Sequence, residues 1–275
     1  MRVARLLHGR YRVLALTSTS ARVQTLRDAG VVPMTGNLDH AESLYRLGSV
    51  ADALLHLAPP PLSGRTDPRT AHLLQTLAKR GRVRRIVYGS TTGVYGDCGG
   101  AMFNESRAVN PTTDRAQRRV DAEAQLRQYG RAMGVKVTVL RIPGIYASDR
   151  EGGHPRDRLK RGSPVLATED DVYTNHIHAD DLARACVAAL VRGLPQRVVH
   201  ACDDTDLKMA DYFDLAAELE GVPRPRRISR AQAAVELSPM LLSFMSESRR
   251  LANHRLKNEL KLKLRYPTVN TGLLA

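Results

Sequence analysis

The sequence predicts an α/β fold, a doubly wound parallel sheet with a small, mostly helical C-terminal part. Three observations predict it. Short apolar runs alternate with helical stretches from residue 11 to residue 140, the pattern of βα units rather than of separate sheets and bundles. The run Ile86-Val87-Tyr88 is apolar throughout, as in a strand covered on both faces. It breaks at once into Gly89-Ser90-Thr91-Thr92-Gly93, and in an open parallel sheet ligands lie just beyond the carboxyl ends of strands.

The elements follow in order. Residues 1–10 read as the end of an amphipathic helix, with Val3, Leu6 and Leu7 on one side. Residues 11–17 form a strand, 20–29 a helix closed by Gly30, and 31–34 the next strand. Residues 43–47 are helical. The strand 53–57 stops at Pro59-Pro60-Pro61, and the helix 68–80 stops at Gly81. After the Ile86 strand, residues 97–110 make a polar excursion. A long helix spans 111–130, with Ala116, Val120 and Ala124 as its apolar stripe. Residues 135–140 form a strand and 146–161 a charged loop. A helix covers 181–192, with Asp180 as its N-cap. Residues 196–201 are a last strand that returns to the main sheet. Residues 209–219 and most of 229–262 are helical. The domain division expected is 1–165 for the sheet and 166–275 for the C-terminal part.

Composition narrows the function classes. The chain has 275 residues and three cysteines, Cys98, Cys186 and Cys202. Few, odd and widely spaced cysteines argue against a disulfide framework or a zinc site and for a reducing cytoplasm. No run approaches a membrane span of about twenty apolar residues, and residues 1–10 are too basic for a signal peptide. The formal charge is +14, yet only seven of 42 basic residues are lysine. The arginine clusters at 82/84/85, 118/119, 224/226/227 and 249/250 are separate, and tryptophan is absent. That counts against a base-stacking nucleic-acid surface and leaves an anionic small molecule as the partner of some of this charge. His176 and His178 lie two apart with no third ligand placed nearby, so no metal is expected.

The motif Ser90-Thr91-Thr92-Gly93-Val94-Tyr95-Gly96 resembles the strand-end motif of extended short-chain dehydrogenases/reductases, the nucleotide-sugar epimerase and dehydratase superfamily. Leu140-Arg141-Ile142-Pro143-Gly144-Ile145-Tyr146 resembles that family's Leu-Arg-x-x-x-x-Tyr/Phe segment. Residues 175–183, Asn-His-Ile-His-Ala-Asp-Asp-Leu-Ala, resemble its His-Val-x-Asp-Leu-Ala segment. The three stand in family order over nearly the whole chain. The resemblance implies a Rossmann-like, NAD(P)-binding fold and a nucleotide-sugar-type substrate. It matches Thr91 to the catalytic Ser/Thr and Tyr95 to the non-catalytic tyrosine of Val-Tyr-Gly, a packing or substrate-contact residue unless it stands in as proton donor for the missing catalytic one. It places the cofactor against Thr17, Ser18, Asn37, Leu38, Leu57, Ala58, Pro59, Ser90, Ile142 and Pro143. Thr92 and Asn175 fall to the substrate. It also implies a homodimer through the helices after the Ala53 and Ile86 strands, although the arginines of the 111–130 helix count against that.

The chain departs from the family pattern in two places. No glycine-rich turn precedes residue 11, so the first strand and phosphate loop are expected ahead of Met1. Residues 96–128 contain no tyrosine and no lysine, where the family carries Tyr-x-x-x-Lys. If Glu123 matches the acidic residue after that lysine, the two positions are Arg115 and Arg119, and arginine cannot act as an acid or base near neutral pH. Both could still hold a ribose or a phosphate. The strand end at Thr17 lacks the carboxylate that selects NAD and offers Arg22, so NADP is expected ahead of NAD, the alternative being that Arg22 is one more surface arginine. These features leave two readings of function, a degenerate epimerase/dehydratase-like oxidoreductase or a non-enzymatic dinucleotide or metabolite sensor. A basic RNA-associated protein is a third and weaker one.

Overall fold

The computed structural model describes residues 1–79 and 81–275, the side chain of Met240 excepted. The chain opens with α1 (Arg2–Leu7), then β1 (Leu14–Thr17), α2 (Arg22–Asp28) and β2 (Val32–Thr35). Gly30 closes α2 at φ +70°, a left-handed turn that glycine adopts without strain. Two short 3₁₀ turns, Ala41–Leu44 and Leu47–Ser49, stand where a helix over 43–47 is predicted. β3 (Ala53–His56) leads to α3 (Pro68–Ala78), whose predicted last residue, Arg80, lies outside the described residues. β4 (Arg85–Thr91) ends in the 3₁₀ turn Thr92–Tyr95. The polar excursion contains β5 (Met102–Phe103) and precedes α4 (Asp114–Met133).

β6 (Lys136–Ile142) and β7 (Gly144–Tyr146) follow, then α5 (Arg156–Lys160), β8 (Val165–Leu166), β9 (Tyr173–Thr174) and β10 (His176–His178). α6 (Ala179–Arg192) returns the chain to β11 (Arg197–His200). The remainder is β12 (Leu207–Lys208), α7 (Met209–Glu220), β13 (Arg227–Ile228), α8 (Arg230–Glu236), α9 (Pro239–Phe244), β14 (Arg250–Leu251), α10 (His254–Asn258) and α11 (Val269–Gly272).

The central sheet is parallel, in the order β11-β6-β4-β3, and β1 and β2 form a separate parallel pair. β11 joins β6, as expected for the 196–201 strand. Alternate strand residues serve opposite layers. Ile86, Tyr88, Val137 and Val139 pack with Leu73, Leu77, Ala122 and Leu126 of α3 and α4. Val87, Leu140 and Val199 pack with Ala185, Cys186 and Ala189 of α6. A second core, including Tyr146, Leu166, Val172, Phe213 and Ile228, joins β7 and β8 to the C-terminal helices.

Two further expectations are corrected. On α4, Ala116 is buried but Ala124 is exposed, and the face against the sheet runs through Ala116, Ala122, Glu123, Leu126 and Gly130. Steps of four residues drift about 40° around a helix at 3.6 residues per turn, so the predicted stripe spirals off the core. At α6 the N-cap is His178, not Asp180: Nδ1 of His178 accepts the Asp180 N–H at 3.2 Å. The Asp180 carboxylate instead takes the Arg2 guanidinium at 2.5 Å, tying α1 to α6.

The predicted arginine clusters divide into separate pairs. Arg82 meets Asp52, Arg227 meets Asp214 and Arg250 meets Asp206, while Arg118 donates to the Gly64 carbonyl at 2.5 Å. His176 is buried and stacked on Tyr212 with 4.2 Å between ring centroids. Among the described residues no group of histidine, cysteine or carboxylate side chains is placed to hold a metal ion. All three cysteines are free and buried, and no described helix is long and apolar enough to cross a membrane.

Candidate functional site

Parallel registers bring the strand ends together. His56 pairs with Tyr88 and Thr91 with Ile142, so Leu57-Ala58, Ser90-Thr91 and Ile142-Pro143 share one edge. The β1–β2 pair joins this edge through α3. Arg69, in the first turn of α3, grips the Asp39 carboxylate at 2.6 and 2.7 Å and the Pro59 carbonyl at 3.0 Å. The Gly36 N–H donates to Thr17 O at 3.1 Å, which sets Thr17 beside Asn37. Ser18, Arg22, Leu57 and Pro59 are exposed, and Asn37, Leu38, Ala58, Thr91, Ile142 and Pro143 are half-buried. The result is a ledge of small and apolar side chains with Arg22 at one end.

Ser90 and Thr91 are neighbours with different surroundings. Thr91 sits at the ledge, where its oxygen accepts the Gly93 N–H at 3.3 Å and caps the following turn. Ser90 points below it and is buried, donating to Glu123 Oε1 at 2.5 Å. Glu123 also accepts both forks of Arg141, at 3.1 and 2.6 Å. This ion pair is almost wholly buried, each side chain 5% exposed. Removing one partner of such a pair costs about 3–5 kcal/mol, because the other charge is left unpaired in the interior. Ser90 is therefore spent on holding β4 to α4. Thr92 is buried as well.

The two arginines that the resemblance sets against the family's Tyr and Lys diverge. Arg119 donates to the Gly89 carbonyl at 2.8 Å and to the Tyr88 hydroxyl at 3.0 Å, directly behind the ledge. Arg115 is exposed and lies over the Phe244 ring, 5.1 Å from its centroid, linking α4 to α9. Burial pushes the Tyr88 phenol up to about 12, against the pull of Arg119.

Tyr95 is a core anchor. It is 1% exposed, and its hydroxyl lies 2.6 Å from His200 Nε2. His200 Nδ1 lies 2.9 Å from the Ala252 carbonyl. A carbonyl only accepts, so Nδ1 carries the proton, Nε2 accepts, and Tyr95 donates. Burial holds His200 down near 4 and keeps it neutral. A proton-donor role at the ledge would need the phenol to face outward, and it does not. Asn175 is similarly occupied: its amide donates to Arg249 O at 2.8 Å and accepts the Leu251 N–H at 3.0 Å, clamping the turn before β10 to β14.

Sequence reasoning left Arg141 and His56 unassigned. Arg141 is a charge inside an otherwise apolar strand run, a signal of a buried partner. His56 Nε2 lies 3.0 Å from Thr70 Oγ1, whose own proton goes to Asp67 at 2.8 Å. His56 thus donates through Nε2 and is neutral, burial first and Arg119 second lowering it to about 4.

A family model for the NAD dependent epimerase/dehydratase family matches residues 2–202. Protein YeeZ of Escherichia coli (strain K12) is 27% identical over 179 residues, which is 64% of this chain and 62% of YeeZ. The chain thus spans less than two thirds of the length of the curated relatives it matches. A conserved protein of unknown function from Silicibacter pomeroyi DSS is similar over 100% of this chain and 92% of its own, with 30% identity and a TM-score of 0.83. A double mutant of DesIV, a dTDP-glucose 4,6-dehydratase from Streptomyces venezuelae, with NAD and DAU bound, aligns over 99% of this chain and 90% of its own. Its TM-score is 0.77 at 21% identity, a likeness of fold.

Proposed function

The chain belongs to the NAD dependent epimerase/dehydratase family, and on that premise we propose that it binds NAD(P) and a nucleotide-sugar-type small molecule at a site whose Tyr-x-x-x-Lys relay is replaced by two arginines. The observation that carries this reading is the pair Arg115 and Arg119, with Tyr95 turned inward to His200. Neither guanidinium exchanges a proton near neutral pH.

The ledge fits the two ends of a dinucleotide. Asn37 and Leu38 suit the adenine, Ser18 and Arg22 a 2′-phosphate, and Ala58, Thr91 and Pro143 the nicotinamide side. When bound, the dinucleotide supplies a hydride donor or acceptor. Among the described residues no glycine-rich turn offers the cradle of backbone N–H groups that a pyrophosphate takes at a helix start. Arg119, held behind the ledge by Gly89 and Tyr88, supports the charge and orientation of a ligand and moves no proton.

The same arrangement supports a second reading, a non-enzymatic sensor on this fold, because no described tyrosine stands at the ledge as proton donor. Two measurements separate the readings. Calorimetry with both dinucleotides should show NADP binding tighter than NAD, with the preference lost in Arg22→Ala. Absorbance of NADPH with a panel of keto-sugar nucleotides should show no turnover of the Tyr/Lys kind. Slow turnover that survives Tyr95→Phe selects the degenerate enzyme, and binding with a flat absorbance selects the sensor. Robust turnover that disappears in Arg119→Ala, or tighter NAD binding unchanged by Arg22→Ala, would defeat the proposal.

A further inference from the structure

A cavity of about 450 Å³ lies along α4, between the 104–109 loop, the start of β11 and Arg255 of α10. α3 packs elsewhere on α4, where Asp121 accepts the Asp67 N–H at 2.7 Å. The cavity therefore covers the β6–β11 side of the sheet, away from the β1–β3 end of the ledge. Its size falls in the range of small-molecule pockets, about 300–1,000 Å³.

The lining has two characters. Ala108, Val109, Val120 and Ala124 make an apolar wall. The remainder is rich in arginine, and most of those arginines are already neutralised. Arg141 is paired with Glu123, Arg197 with Glu259, and Arg255 with Glu105 and Glu259. Arg107 and Arg127 differ. Neither forms an ion pair among the described residues. Arg107 lies over the Phe103 ring at 4.7 Å, and the Nε of Arg127 is buried with no hydrogen-bond partner among the described residues. A buried donor without an acceptor costs free energy that a ligand can return. The cavity thus holds two uncompensated positive charges next to an apolar wall.

We propose that this cavity is a binding site for a small organic phosphate, its phosphoryl group held by Arg107 and Arg127 and its body lying on Val109, Val120 and Ala124. Guanidinium forks match phosphate oxygens in geometry and charge, and the wall would recognise an apolar or ring-shaped body. The site is separate from the dinucleotide ledge, and an Arg22→Ala variant keeps its test distinct from that reading.

Calorimetry with AMP and with inorganic phosphate as probes tests it. AMP should bind in the low-millimolar range or better, and at least tenfold more tightly than inorganic phosphate. Arg127→Met keeps the apolar stem and removes the charge, and it should weaken AMP at least tenfold. Ala124→Phe fills the cavity from an exposed position of α4 without touching an arginine, and it should do the same. Lys263→Met, in the lysine-bearing hollow near Leu262 and Pro267, should leave AMP binding unchanged. Unfolding midpoints of the variants confirm that each is folded. No AMP binding, or equal affinity for AMP and phosphate, overturns the assignment. So does binding that Arg22→Ala abolishes while Arg127→Met leaves it intact, since the probe then sits on the dinucleotide ledge.

Discussion

His56, His176 and His200 share one chemical situation. Each is buried, and burial is the first cause that lowers each to about 4. His56 also faces Arg119, and His200 faces Arg141 and Arg255. A histidine lowered from an unfolded value near 6.5 contributes stability above that pH, and the contribution is lost as pH falls toward 4. Asp203 opposes them. Burial raises its carboxyl to about 7, so it favours the folded state below its unfolded value and ceases to as pH rises through 7. Near pH 5 these four groups together bind about two more protons in the unfolded chain than in the folded one, three from the histidines less one from Asp203. Stability should fall by about 2.7 kcal/mol per pH unit there, at about 1.36 kcal/mol per proton. Urea midpoints from neutral pH to about pH 4.5 measure this. His200→Gln should roughly halve the slope. A midpoint that rises as pH falls would show that these histidines are charged in the folded chain, since Asp203 alone would then set the sign.

At the scale of elements, the turn after β4 decides how the 97–110 loop and the C-terminal strand meet the sheet. Gly96 has φ +63°, and a Cβ there would lie 2.4 Å from the Asn110 carbonyl. Its own carbonyl accepts Arg249 Nη1 at 2.9 Å, anchoring the approach to β14. Gly96→Ala should cost about 1–3 kcal/mol from the strained backbone, and more if Asn110 cannot retreat. A lower urea midpoint with an unchanged slope is the expected result, and an unaltered midpoint would mean that the loop relaxes freely. The same turn shows what was legible in the sequence. The apolar run, the glycines and the hydroxyls announced a strand and where it ends, and β4 ends there in a parallel sheet with β3, β6 and β11. The choice between Ser90 and Thr91 was not legible. Successive strand residues face opposite ways, and only the Glu123–Arg141 pair, 33 residues beyond Ser90 and further, fixes which hydroxyl turns inward. Asn175 was obscure for the same reason, since its partners Arg249 and Leu251 lie some 75 residues away.

At the scale of the whole molecule, the division of the sheet is the dominant feature. β1 pairs only with β2, and β3 only with β4, so each carries one unpaired edge among the described residues. Parallel strands are ordinarily buried on both faces, yet Leu14, Ala15, Leu16, Leu54 and Leu55 are only half-buried and Ala53 is exposed. Unpaired backbone N–H and C=O groups on such edges invite pairing with another strand. α1 packs on α6 and feeds directly into β1, the place of a crossover helix in a right-handed βαβ unit. We propose that the open edges of β1 and β3 accept one further parallel strand, and that the turn from such a strand into α1 would offer backbone N–H groups to a pyrophosphate. A chain extended ahead of Met1 by an apolar strand and a glycine-rich turn, about a dozen residues at ordinary βα spacing, tests this against the 275-residue chain. The longer chain should melt at higher temperature, because it pairs both edges and covers their apolar side chains. It should also gain stability from NADP, about 2.7 kcal/mol at one hundred times the dissociation constant, whereas the shorter chain should gain little. Equal melting of the two lengths, with equal stabilisation by NADP, would show that these edges take no strand and that the pyrophosphate is held elsewhere.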